Sequence, residues 1–142
     1  MYDEHDALIQ AVAGWVERSE QNLSVAAGLV RRKKCPVEIA CFLAQQSIEM
    51  IMKALLVAHR IDFPKTHDIN RLIELMPEYA RPSIDEATRE RLMHYAVESR
   101  YPDDCIVITV DDAREAVKIA RRVRKEVRRF LPKAALSQRR ER

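Results

Sequence analysis

Apolar side chains recur along the first thirty residues at the spacings of a helix face. Leu8, Val12, Trp15, Leu23, Ala26, Ala27 and Val30 fall on or near one stripe, mostly at spacings of three, four and seven. The stripe runs out in the basic stretch Arg31-Arg32-Lys33-Lys34, so it predicts a first helix over roughly Glu4 to Arg32. Pro36 then suits the first turn of a second helix, where its missing N–H would have had no intrahelical partner. Cys41, Ala44, Ile48, Ile51, Met52 and Leu55 supply that helix with a buried face, and its expected span is Val37 to His59.

The pattern breaks at Asp62-Phe63-Pro64-Lys65-Thr66-His67-Asp68. Asp68 stands where an N-cap would open a short third helix carrying Ile69, Leu72, Ile73 and Leu75 before Pro77. Ser83-Ile84-Asp85-Glu86 has the Ser-x-x-Glu form of a capping box and predicts a fourth helix through Leu92, Tyr95 and Ala96. It should end near Arg100, because Pro102 disfavours helical geometry at Tyr101. Cys105-Ile106-Val107-Ile108 is too short to make a sheet and has no partner strand, so it reads as a buried connector. Thr109-Val110-Asp111-Asp112 is a second capping-box form. Beyond it Ala113, Ala116, Val117, Ala120, Val123, Val127 and Leu131 keep a helical stripe to Pro132. The expectation is an all-α, up-and-down bundle of four long helices plus one short one over residues 1–132, followed by a disordered basic tail at 133–142.

Composition agrees with that reading. Two glycines in 142 residues leave little hairpin-turn material, and 47% hydrophobic with 33% charged residues suits amphipathic helices in a single domain. The most apolar stretch, Ile39 to Val57, carries Gln45, Gln46, Glu49 and Lys53, so a bilayer span is not expected. Cys35, Cys41 and Cys105 lack ligand spacing and follow no leader-like segment. They read as reduced thiols of a cytoplasmic protein. The net charge of +3 hides an asymmetry: residues 114–142 carry a net +9, leaving about −6 for the rest.

Three blocks stand in order: Ala40-Cys41-Phe42-Leu43-Ala44-Gln45-Gln46-Ser47-Ile48-Glu49-Met50 with Lys53-Ala54-Leu55-Leu56, then Pro64-Lys65-Thr66-His67-Asp68-Ile69, then Ser99-Arg100-Tyr101-Pro102-Asp103 leading into Thr109-x-Asp111-Asp112-Ala113. This combination resembles the HEPN family of prokaryotes from Trp15 to Val127. The resemblance implies a helical bundle that pairs as a homodimer, and for many members a minimal nucleotidyltransferase partner in a toxin–antitoxin module. It also implies a search for the Arg-x4-6-His motif of the family's nuclease branch. There a histidine serves as acid or base and an arginine stabilises charge on the phosphorus centre.

Arg89 and His94 match that spacing, but five residues of helix set the two side chains about 140° apart, so a bend or a second subunit would be needed. Arg60 and His67 match it across the Pro64 loop. The position that aligns with the family's catalytic arginine is Arg100, and no histidine follows it. A metal-independent RNase is therefore the alternative reading, with Arg100, His94 and Arg89 as its catalytic candidates. The leading reading is a nucleotide- or RNA-binding protein. Lys65, Thr66 and His67 would face phosphate beside the start of the third helix, or would merely cap local backbone. Arg100, Tyr101 and Asp103 would add a guanidinium, a stacking ring and an orienting carboxylate, or form a turn lock of their own. Gln45, Gln46 and Glu49 read as a polar network in the core or at a dimer seam, which is also the basis of a non-catalytic interaction module. Arg121, Arg122, Arg124, Lys125, Arg128 and Arg129 form either a solvated helix face or a source of salt-sensitive contacts to nucleic acid. The histidines are too scattered for a metal site, and neither metal nor cofactor is expected.

Overall fold

A computed structural model describes residues 3–96 and 107–137 of the chain. Within them six α-helices follow in order: α1 (Glu4–Leu29), α2 (Val37–Ala58), α3 (Ile69–Leu75), α4 (Glu86–Tyr95), α5 (Val110–Arg128) and α6 (Lys133–Leu136), with a 3-10 turn at Glu78–Ala80. Three of them are long, α4 has ten residues and α3 seven. The described residues contain no strand.

α2 is the centre of the bundle. Its most extensive neighbours are α1 and α5, and α3 and α4 pack on it as well. Ile48, Ile51, Met52, Leu55 and Leu56 are sealed from solvent, where packing at interior density makes each methylene count. By length and composition α2 could cross a bilayer, against the expectation from its polar residues. In the fold 78% of its most apolar window is buried by the other helices, and burial on all sides explains its apolar character.

The buried stripe of α1 is Ile9, Val12, Val16, Ser19, Leu23, Ala26 and Ala27, with Trp15 half-buried at its flank. This face is rotated slightly from the expected one, with Ile9 and Val16 buried where Leu8 and Trp15 were expected, and it includes a serine. Ser19 Oγ donates to Ser47 O at 2.7 Å and lies 3.1 Å from Ser47 Oγ, so two small hydroxyl side chains join α1 to α2 with their polarity satisfied. α2 ends in a Schellman arrangement: Ile61 N–H reaches Leu56 O at 2.9 Å and Arg60 N–H reaches Val57 O at 3.0 Å. Arg60 occupies the left-handed position, φ 57°, that glycine usually fills.

Four local expectations need correction. α1 stops at Leu29, short of Arg32. The N-cap of α4 is Asp85, whose Oδ1 accepts Thr88 N–H at 2.8 Å. Ser83 does not cap because α5 holds its backbone on both sides: its N–H donates to Glu126 Oε2 at 2.9 Å and its carbonyl accepts from Arg122 at 2.7 Å. Val107 is 83% exposed, so that end of the connector is not buried. Lys133–Leu136, expected to begin the disordered tail, forms α6 with Ala135 buried against the bundle. The Thr109 capping box is present as the sequence suggested, with Asp112 N–H to Thr109 Oγ1 at 3.1 Å and Thr109 N–H to Asp112 Oδ2 at 2.9 Å.

Candidate functional site

Helical spacing places Gln45, Glu49 and Lys53 on consecutive turns of one α2 face, and the loop before α3 brings His67 to them. Glu49 is the hub, with only 2% of its surface exposed. Its Oε2 accepts from Gln45 Nε2 at 3.2 Å, and Gln46 Nε2 donates in turn to Gln45 Oε1 at 3.4 Å. Lys53 Nζ meets Oε1 at 2.6 Å, and His67 Nδ1 lies 2.9 and 3.0 Å from the two carboxylate oxygens. A buried carboxylate needs such donors, because removal from water is costly unless charge and lone pairs are matched.

An ionised carboxylate only accepts, so His67 Nδ1 carries the proton. Nε2 is then the outward nitrogen, an acceptor on the neutral ring and a second donor on the charged one. The His67 side chain is 66% exposed although its anchor is buried. Lys53 is not available to a ligand in the same way. Its ammonium sits on Glu49 and 5.6 and 5.8 Å from the ring centroids of Trp15 and Phe63, which pack edge to face at 6.1 Å. Arg18 covers the Trp15 ring at 5.8 Å. Beside it an open groove of about 560 Å³ runs along α1, lined by Ala11, Gly14, Trp15, Glu17, Arg18 and Gln21, so that one carboxylate shares the lining with Arg18. A Cβ on Gly14 would meet nothing within 4 Å, so packing inside this chain does not require glycine there.

The remaining candidates divide. Lys65 is exposed next to His67. Thr66 Oγ1 accepts Asp68 N–H at 3.0 Å, and Asp68 Oδ1 accepts Asn70 and Arg71 N–H at 2.9 and 3.4 Å. The start of α3 is thus already capped by its own chain. Arg89 and His94 both lie on α4, five residues apart, with Arg89 Nε out of solvent and unpartnered and His94 exposed. Arg60 stands at the end of α2, before the loop that carries His67. Arg100, Tyr101 and Asp103 lie outside the described residues. Sequence reasoning named Glu49 and His67 separately but missed Lys53, Trp15 and Phe63. A polar residue one turn from Glu49, in an otherwise apolar stretch, was the available signal for Lys53.

The profile of the family described as HEPN domain matches residues 12–130. No curated protein matches the chain in sequence. Among solved structures, TT1696 from Thermus thermophilus is 27% identical with a TM-score of 0.71, over 86% of this chain and 99% of that one. ST0689, an archaeal HEPN homologue, is 28% identical with a TM-score of 0.63, over 82% of this chain and 94% of its own.

Proposed function

The chain belongs to the HEPN domain family, and from that premise we propose that it binds nucleotide or RNA through phosphate at the exposed edge of His67 beside Lys65. The observation that carries the reading is the pairing of an almost fully buried carboxylate with a mostly exposed imidazole. Glu49 fixes the ring and its tautomer, so the outward Nε2 meets a ligand with little orientational freedom left to lose. In its protonated form the ring would donate to phosphate from Nε2, and Lys65 adds a cation from the same loop. The half-buried Trp15 ring touches the network through Lys53 and lines the groove beside Arg18, and an aromatic face there suits a stacked base.

Trp15 is the sole tryptophan, so its fluorescence reports on this network directly. Titration with AMP, ATP and a short RNA should change its emission saturably, and His67→Ala and Lys65→Gln should each weaken the effect. A flat emission with no heat of binding in calorimetry, for every one of these ligands, would end the reading. It extends to a homodimer and to a minimal nucleotidyltransferase as partner in a toxin–antitoxin module. Co-expression with the product of a neighbouring nucleotidyltransferase gene, followed by co-purification, tests the partnership.

A further inference from the structure

On the opposite side of α1 lies a second groove, of about 490 Å³, between α1 and α5. Arg18 faces the Trp15 groove and Ala27 faces this one; nine residues, or about two and a half helical turns, separate them. Its walls bring together cations far apart in the chain: Arg31 from the turn after α1, and Arg121, Arg124 and Lys125 from α5. Leu23, Ser24 and Ala27 form the rest of the α1 wall, and Glu20 is the one carboxylate in the lining. Glu20 Oε1 accepts from Arg124 Nε at 2.6 Å and from Arg128 Nη1 at 3.0 Å, so it is already shared between two guanidinium groups. Arg31, Arg121 and Lys125 are exposed and form no ion pair among the described residues. Arg121 and Lys125 are like charges four residues apart on one helix, an arrangement that opposes folding, and unlike Arg124 and Arg128 they share no carboxylate such as Glu20. A counter-charge from outside the chain would relieve it.

We propose that this groove holds the phosphodiester backbone of an RNA strand, a site separate from the His67 edge. The inference rests on the nucleotide- or RNA-binding reading and assigns the polymer to it. Three of the four lining cations are arginines, whose planar donors match phosphate oxygens two at a time. No aromatic side chain lines the groove, so it offers bases nothing to stack on and follows the backbone without regard to sequence. The same absence argues against a protein segment as occupant, since protein interfaces centre on buried aromatic or apolar anchors.

The test is fluorescence anisotropy of a labelled short oligouridylate with the full chain, across roughly 0.05 to 0.2 M salt. Wild type should bind with an affinity that falls as salt rises. The double variant Arg121→Gln/Lys125→Gln removes two exposed, unpaired cations and should keep the wild-type circular dichroism. Two lost phosphate contacts on a single strand flatten the logarithmic salt slope by about 1.4 and weaken binding about 25-fold at about 0.1 M salt. The response of Trp15 to AMP should be unchanged in this variant. If the double variant binds the RNA with wild-type affinity and slope, the groove is not the track, while the nucleotide reading stands. If poly-glutamate displaces the RNA at equal charge concentration, the groove is a protein-docking surface and the inference is overturned. If neither AMP, ATP nor RNA binds wild type, the underlying reading falls and takes this one with it.

Discussion

Lys53 Nζ and Glu49 Oε1 stand one turn apart on α2 and meet at 2.6 Å, with side chains 9% and 2% exposed. Such a pair adds little net stability over an apolar pair of the same shape, because desolvation offsets much of the attraction. Breaking it is another matter. Lys53→Met would leave the Glu49 carboxylate buried without its cation and should cost about 3–5 kcal/mol in urea unfolding at neutral pH. Lys53→Met combined with Glu49→Leu should recover a large part of that loss. A single variant that unfolds like wild type would mean that water reaches Glu49 freely.

Arg60 carries a positive φ of 57° at the end of α2, immediately before the loop that delivers His67. A side chain in this conformation costs roughly 1–2 kcal/mol relative to glycine, offset in part by the freedom glycine loses on folding. Arg60→Gly should therefore raise stability by up to about 1 kcal/mol, read as a shift of the urea midpoint with no change in slope. If it lowers the midpoint, the Arg60 side chain holds the loop, and strain is not the controlling term.

Periodicity revealed the helices whose apolar stripe is long, and Thr109 with Asp112 revealed the start of α5, because these are decided within a few residues of chain. Ser83 and Asp85 are both good N-caps two residues apart, and local rules alone favoured Ser83. The choice fell to Asp85 through contacts from Arg122 and Glu126, some forty residues away. The polar network was legible in pieces. Gln45 and Glu49 share a face by spacing alone, whereas the approach of His67 depends on how the loop folds back over α2. The basic groove was hidden for the same reason. The run at Arg31 and the cations of α5 are each visible in sequence, but only the packing of α1 beside α5 makes them one surface.

The Asp85 carboxyl is held below the ordinary aspartate range, chiefly by the hydroxyl and backbone N–H of Thr88, with smaller help from Arg91 and Arg122. A lowered folded-state value means that the contribution is present in full above the unfolded-state value, near 4, and is lost as pH falls through the folded one. Asp85→Ala should lower the melting temperature at pH 7, and the gap from wild type should narrow below about pH 4. Asp85→Asn keeps an acceptor for Thr88 and should sit between the two at pH 7, with a gap from wild type that also closes in acid. Parallel melting curves for wild type and Asp85→Ala from pH 7 down to pH 3 would show that the carboxylate makes no charge-dependent contribution.

Glu20 decides how much positive charge the α1/α5 groove presents, since its Oε1 engages both Arg124 and Arg128. The carboxylate is 36% exposed, so its ion pairs are screened by solvent and should contribute at most about 1 kcal/mol to stability. Glu20→Gln should consequently leave the fold intact and cost little in urea unfolding. It also removes the one negative charge of the lining and frees a guanidinium for phosphate. One additional phosphate contact corresponds to about fivefold tighter RNA binding at about 0.1 M salt and a steeper salt slope. Stability and affinity thus move in opposite directions in this variant, a combination that general weakening of the fold would not produce. Weaker RNA binding by Glu20→Gln would mean that Glu20 orients Arg124 for the ligand, and that its charge matters less than its position.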